Sequence, residues 1–275
     1  MRILAVNSAD SAAIVATPVM VASLPVTNLQ NQYRERVARA TRCDAQLIEL
    51  TWGQPTAFSM ACLYRNNLSN TAQWRVQIYT DTSMSTLLYD SGLVLAANPK
   101  PLGDLVWGLD PLGATLYTDW PYNVSTLWYS LVIGQYMRVT INDPASADGY
   151  IQASRLFVGS YFEPQFVGPE PGATMSLKES TITVRTEGGT RRAEPGSSYR
   201  VASVRLGLME ATDRARLFDI LQRVGLRKDT FMSIFPAQGN ALERDHQMQC
   251  NLQTLDPATI TNFFRYEQTL NFEET

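Results

Sequence analysis

The stretch from residue 73 to residue 79, Gln-Trp-Arg-Val-Gln-Ile-Tyr, alternates apolar and polar side chains and decides the fold class. In an extended chain, Trp74, Val76 and Ile78 fall on one face, and their neighbours fall on the other. This period of two is typical of a half-buried strand. Similar segments lie on both sides, at residues 45–50, 57–64, 127–132, 136–141 and 154–158. The pattern predicts short strands stacked in a β-sandwich, with a long loop rich in proline and aromatic residues at 92–123.

A cluster of prolines and glycines predicts a domain boundary. Residues 163–172 contain Glu163-Pro164, Gly168-Pro169 and Pro171-Gly172, which continue neither a helix nor a central strand. We therefore expect one domain at 1–165 and a second at 166–275.

The second domain is predicted to be a small β-sandwich with one flanking helix. We expect strands at 180–186, with Ile182 and Val184 inward, and at 199–208, 230–235, 247–255 and 263–272, with a helical turn at 256. The helix is predicted at 214–224, with Thr212 as N-cap and Gly225 as C-cap. Its apolar stripe consists of Leu217, Phe218, Leu221 and Val224.

Composition excludes several classes of function. The 275 residues carry a formal net charge of -3, which gives no electrostatic footprint for nucleic-acid binding. The apolar stretch at 3–24 is interrupted by polar residues, so neither a signal peptide nor a membrane span is predicted. One histidine and three widely spaced cysteines cannot form a usual zinc cluster, and we expect no metal, no cofactor and reduced thiols.

Catalysis is not predicted. His246 is the only imidazole, and the adjacent Asp245 would point to the opposite face of a strand. No nucleophile elbow, metalloprotease helix or phosphate-binding loop is present, and no pair of carboxylates stands out among the loop aspartates. We expect a protein that is not an enzyme.

Two features suggest binding surfaces. The loop region carries Trp107, Tyr117, Trp120 and Tyr122, whose rings could stack on sugar faces, or could instead pin the loop onto the sandwich. The hairpin predicted at residues 185–200 carries charges of both signs, which could form a solvated face or lock neighbouring subunits together. Its candidate interface residues are Arg185, Glu187, Arg191, Arg192 and Glu194.

Several segments of the first half resemble a known family. Residues 24–29 (Leu-Pro-Val-Thr-Asn-Leu), 46–50, 62–69, 72–76 and 155–164 are similar to the discoidin-like jelly-roll modules of tailed-phage tail proteins. The resemblance covers roughly residues 20–165 and implies a carbohydrate-binding-like jelly roll.

The second half is similar in element order to the tail-tube and distal-tail fold of long-tailed phages, with the hairpin at 185–200 and the helix at 214–224. These resemblances imply a structural subunit of a tail tip or baseplate, which would form a hexameric ring at the distal end of the tail tube. They imply tube and hub proteins as partners, assembly in the host cytoplasm and location in the virion. The alternatives are a receptor-binding protein that recognises host surface glycans and, third, a glycan hydrolase.

Overall fold

The computed structural model describes residues 1–118, 120–165, 169–262 and 265–275. They divide into two compact units. The first unit comprises Arg2–Phe162 and Ser233–Gln247, and the second comprises Met1, Glu163–Met232 and Met248–Thr275. The mainly β fold class is confirmed, since antiparallel sheets form most of both units. The return of Ser233–Gln247 to the first unit was not part of the sequence prediction.

The first unit is built on a seven-stranded antiparallel sheet. The sheet follows the order β10-β4-β8-β5-β6, while β2 pairs with β4 and β7 pairs with β5. β3 and β9 form a separate two-stranded sheet, and β1 pairs with β11. The strands are β1 (Arg2–Leu4), β2 (Ala13–Thr17), β3 (Ala38–Arg39), β4 (Gln46–Asn66), β5 (Gln73–Tyr79), β6 (Leu87–Asp90), β7 (Val94–Leu95), β8 (Asn123–Asn142), β9 (Gln152–Ala153), β10 (Arg155–Gly159) and β11 (Tyr161–Phe162), with 3-10 helices at Ser8–Ser11, Val26–Gln30 and Leu102–Asp104.

Two long strands turn this sheet into two layers. β4 has 21 residues and β8 has 20, so each replaces two shorter strands that the sequence pattern predicted. Their pairing shifts register between Thr51 and Thr56, where four intervening residues of β4 form a bulge. Before the bulge β4 pairs with β2, and after it β4 pairs with β10.

One hydrophobic core joins the two layers of the first unit. Trp74, Val76 and Ile78 of β5 are buried in it, as the alternation at 73–79 predicted. Leu156 and Val158 of β10 belong to the same cluster. Burying a side chain of this size contributes about 1.5–3 kcal/mol, and this cluster is the main source of the unit's stability.

The second unit contains an antiparallel sheet in the order β16-β17-β19-β15-β12, with β18 paired to β19 and a separate β13–β14 hairpin. Buried residues alternate along β15 and β19, which pair with each other. The elements after residue 162 are β12 (Thr174–Glu179), β13 (Ile182–Arg185), β14 (Arg191–Glu194), β15 (Ser198–Met209), α1 (Ala211–Val224), β16 (Thr230–Ser233), α2 (Ala241–Asp245), β17 (Gln247–Leu252), β18 (Thr259–Asn262) and β19 (Arg265–Glu274). Of the final strand predicted at 263–272, residues 263 and 264 lie outside the described residues.

The flanking helix is present, with a different start and a narrower apolar face. α1 begins at Ala211 after Glu210, which makes no side-chain cap bond, so Thr212 lies inside the helix. Gly225 ends the helix with a φ of 59°, a conformation that suits glycine. Phe218 is 59% exposed, while Leu217, Leu221 and Val224 are buried. The apolar stripe is thus one residue narrower than predicted.

Two local predictions for the second unit are wrong. Ile182 and Val184 do not point inward, because β13 pairs only with β14 and both strands of the hairpin are exposed. Residues 254–258 form no helical turn and connect β17 to β18 as irregular chain. Within the described residues, no helix is both long enough and apolar enough to cross a membrane.

Candidate functional site

An open groove of about 450 Å³ lies on the first unit. One wall comes from the loop between β4 and β5, and the other from the loop that precedes β8. A volume of this size falls within the range of small-molecule sites, about 300–1,000 Å³. Its described lining is uncharged and combines amide, hydroxyl and aromatic side chains: Asn66, Asn67, Asn70, Pro111, Gly113, Ala114, Thr115, Tyr117, Thr118, Trp120, Pro121, Tyr122 and Asn123.

Two of the four asparagines hold the groove wall together. The Asn66 amide donates to the Leu63 carbonyl (2.9 Å) and to Ser125 Oγ (3.1 Å), and its Oδ1 accepts from the Leu68 amide. Asn67 Nδ2 donates to Asp148 Oδ2 and to the Tyr150 carbonyl, and Asn67 Oδ1 accepts from the Gln152 backbone amide. These side chains fix the loop and have little capacity left for a ligand.

The other two asparagines retain an acceptor. Asn70 donates Nδ2 to the Gly113 carbonyl at 2.7 Å, which ties the two groove walls together. Asn123 donates Nδ2 to the Leu68 carbonyl at 2.5 Å. Among the described residues, neither Oδ1 atom has a hydrogen-bond donor, so both can accept from a ligand hydroxyl.

The aromatic residues of the groove are held by cations and by one another. The Arg65 guanidinium lies 4.1 Å from the centre of the Tyr122 ring, and the Arg244 guanidinium lies 4.8 Å from the Trp120 ring. Tyr117 meets Trp120 edge to face, with ring centroids 6.5 Å apart. Cation–π and edge-to-face contacts fix ring orientation, which leaves the rings as ordered stacking surfaces.

A segment distant in sequence supports this loop. Ser233–Gln247 folds back on itself through a bond from the Ile234 amide to the His246 carbonyl (3.0 Å). Gln247 donates Nε2 to the Tyr117 hydroxyl at 2.7 Å, and Arg244 donates to the Leu116 carbonyl at 2.5 Å. We call residues 233–247 the return segment. It lies behind the loop that carries Tyr117 and Trp120.

Glu243 anchors the return segment. Its carboxylate is buried and accepts from Trp128 Nε1 (2.9 Å), the Ala237 amide (3.0 Å) and the Gly239 amide (2.8 Å). Asn240 caps α2 by accepting from the Glu243 amide at 3.3 Å. Glu243 thus accepts two hydrogen bonds from within the return segment and one from Trp128 of β8, so it attaches the segment to the β-sandwich.

Burial keeps the nearby titratable groups neutral. The pKa of the Tyr117 phenol is raised, first by burial and then by the electrostatic influence of Cys62 and Glu243. The pKa of the Cys62 thiol is also raised by burial, although a hydrogen bond from Thr126 opposes the change. Neither group is activated for nucleophilic or base catalysis.

The four predicted sugar-binding residues do not all meet. Tyr117, Trp120 and Tyr122 line the groove, but Tyr117 is buried. Trp107 is 82% exposed and does not line the groove. Tyr117 is buried in the loop, as one alternative predicted, while Trp120 and Tyr122 border the groove, where stacking on a sugar stays a prediction.

The five predicted interface residues belong to the exposed β13–β14 hairpin. Arg185 and Arg191 face each other in the register, with Glu187 in the connecting turn, while Arg192 lies opposite Val184 and Glu194 opposite Ile182. In the part of the chain that the structure describes, none of these five side chains forms an ion pair. Because like charges directly opposite each other destabilise a strand pair, the Arg185–Arg191 pair does not contribute to the stability of the hairpin.

The remaining chemical candidates from the sequence are His246 and the three cysteines. His246 caps α2, with Nδ1 2.9 Å from the Leu242 carbonyl and its ring edge-on to Phe235. Cys43, Cys62 and Cys250 form no disulfide. The described residues contain no group of His, Cys, Asp and Glu side chains placed to hold a metal ion.

No protein-family model and no curated protein sequence matches the chain. Among solved structures, the chain is similar to CpGH89CBM32-5 from Clostridium perfringens, in complex with GalNAc-beta-1,3-galactose (10% identity, TM-score 0.38, 56% of this chain and 99% of that chain). It is also similar to the family 32 carbohydrate-binding module of C. perfringens NanJ, in complex with galactose (12% identity, TM-score 0.38, 58% and 99%). A third similar structure is SpGH29 (13% identity, TM-score 0.37). The similarity covers 55% of this chain but only 27% of SpGH29.

These likenesses concern about half of the chain and are similarities of strand arrangement. The similarity to the two family 32 carbohydrate-binding modules covers 56% and 58% of this chain. The assignment to a phage tail has no counterpart among these structures and remains a proposal.

Sequence reasoning missed the return segment and its supporting residues. Glu243, Arg244 and Gln247 lie 115 to 130 residues after the residues to which they bond, and no local pattern links the two regions. The only available signal was the cluster Asn240 to Glu243, which has the spacing of a helix N-cap.

Proposed function

We propose that the protein binds neutral oligosaccharides in the groove between the β4–β5 loop and the loop before β8. The observation that carries this proposal is the ordered pair of rings, Trp120 and Tyr122, beside the open acceptors of Asn70 and Asn123. Sugar rings present C–H faces that stack on aromatic rings, and their hydroxyl groups donate to amide oxygens. The uncharged described lining favours a neutral sugar over an acidic one.

Calorimetric titration of the full chain tests this proposal. Lactose, cellotriose and chitotriose serve as neutral probes. We expect saturable binding of at least one, and a loss of at least tenfold in affinity for Trp120→Ala, since removing a central aromatic contact costs about 1.4 kcal/mol or more.

Trp107→Ala is the matched control, because Trp107 is exposed outside the groove and its removal should leave the affinity unchanged. Equal losses for both variants, or no binding of any probe by the intact chain, would contradict the proposal. Absence of new reducing ends after incubation with the probes would separate binding from hydrolysis, since the described lining residues include no carboxylate.

A second candidate function is that of a ring-forming structural subunit of a phage tail tip, which would contact the tail tube and hub proteins and would reside in the virion. The β13–β14 hairpin supports it, because Arg185, Arg191 and Arg192 are exposed and have no ion-pair partner within the described residues. Carboxylates of a neighbouring copy could satisfy these guanidinium groups.

Particle mass and negative-stain class averages of the purified chain test the ring. We expect closed rings, and the triple substitution Arg185→Ser, Arg191→Ser and Arg192→Ser should abolish them. Rings that persist in this variant would contradict a role of the hairpin. Locating the chain in a reconstruction of an intact virion would test the tail assignment itself.

A further inference from the structure

Trp120 is held by a residue from the far end of the chain. Arg244 lies in α2 of the return segment, and its guanidinium is centred 4.8 Å from the Trp120 ring. It borders a separate enclosed cavity of about 30 Å³ but does not line the groove. Arg244 therefore contacts Trp120 without bordering the groove itself.

The guanidinium group is itself fixed at both ends. Its Nε donates to Asp245 Oδ1 at 2.8 Å, and a terminal nitrogen donates to the Leu116 carbonyl at 2.5 Å. The Arg244 side chain is only 21% exposed, and partial removal from water strengthens a cation–π contact. A planar group with two directional bonds cannot rotate away from the ring that it covers.

Trp120 also has contacts within its own loop. Its backbone amide donates to the Tyr117 carbonyl (3.0 Å), and its ring and that of Tyr117 meet edge to face. The loop around it has no regular secondary structure. The guanidinium of Arg244 thus adds to these local contacts one from a distant segment of the chain.

We propose that Arg244 is a positioning residue for saccharide binding, which acts through Trp120 without touching the ligand. This inference rests on the proposed function of the groove. Fixing the indole in advance spares the ligand the entropy cost of ordering a side chain, about 0.5–1.5 kcal/mol, which corresponds to a two- to tenfold gain in affinity.

A double-mutant cycle tests the proposal with lactose, cellotriose and chitotriose as probes. Arg244→Gln should weaken binding two- to tenfold in the wild-type chain and have no effect when Trp120 is already alanine, with the residual binding measured by ligand-observed NMR. Arg244→Lys should lie between the two, since it keeps the charge and loses the planar contact. Arg42→Gln is the control, because Arg42 pairs with Asp44 at the surface. An equal loss in both backgrounds would overturn the proposal.

A spectroscopic measurement tests, without a ligand, whether Arg244 orients the Trp120 ring. The chain has five tryptophans, and 5-fluorotryptophan labelling gives each a 19F resonance that a Trp120→Phe variant assigns for Trp120. Arg244→Gln should shift and broaden the Trp120 resonance while those of Trp74 and Trp107 stay in place. An unchanged Trp120 resonance would overturn the positioning role. Loss of the proposed function alone would instead appear as absent saccharide binding with the Trp120 resonance still responding to Arg244.

Discussion

Replacing Glu243 by glutamine changes one oxygen of a buried carboxylate into an NH₂ group and leaves the side-chain shape almost unchanged. In the native protein the two carboxylate oxygens accept three bonds, from Trp128 Nε1 and from the amides of Ala237 and Gly239. The glutamine oxygen can keep the two bonds made by Oε1. The Gly239 amide then faces another donor, and an unsatisfied buried donor costs about 1–3 kcal/mol.

We therefore expect Glu243→Gln to lower the free energy of unfolding by about 2 kcal/mol. Since 1 kcal/mol corresponds to about 2–4 °C for a chain of this size, the Tm should fall by about 4–8 °C. Urea unfolding followed by tryptophan fluorescence and calorimetry measures both quantities. Glu35→Gln is the matched control, since Glu35 is exposed, and its effect should stay within about 0.5 kcal/mol. A Glu243→Gln protein as stable as this control would refute the anchoring role of Glu243.

Two further predictions concern titratable groups. A hydrogen bond from Arg75 lowers the pKa of Asp90 to about 2. A carboxyl group whose pKa is lower in the folded state than in the unfolded state stabilises the protein above the unfolded-state pKa. This stabilisation is lost as the pH falls through the folded-state pKa. Stability should therefore decline between about pH 4 and pH 2 less steeply in Asp90→Asn than in the wild type, as measured by thermal unfolding across that range. In the native protein, iodoacetamide should modify the partly exposed Cys43 first. Cys62 should react only in denaturant, because burial raises the pKa of its thiol and blocks access to it. Mass spectrometry of tryptic peptides measures the order of labelling, and equal labelling of the two cysteines would contradict the prediction.

Local patterns predicted local structure well. The alternation at 73–79 coincides with β5, and Gly225 ends α1 where a C-cap glycine was expected. The same alternation failed for Ile182 and Val184, since a period of two shows that side chains alternate but not that a second layer covers either face. Likewise, the pattern predicted two separate strands at 45–50 and 57–64, whereas the chain between them continues as a bulge within β4.

The candidate site was predictable in part, for a physical reason. Tyr117, Trp120 and Tyr122 lie close together in sequence, and a loop with several aromatic residues can be recognised directly. Trp107 has the same chemistry and lies in the same loop region, but only the folded loop determines that it is exposed outside the groove. The support from Arg244 depends on long-range folding of the chain, which a periodic pattern does not encode.

The position of residues 233–247 also has a consequence during synthesis on the ribosome. Phe162 emerges about 85 residues before Gln247, which corresponds to several seconds at about 5–20 residues per second. Throughout that interval Trp128 and Tyr117 lack the Glu243 and Gln247 side chains that later bond to them. The nascent first unit must therefore wait, incompletely closed, until most of the second has been translated, and a polypeptide released early would expose that unfinished surface to other chains.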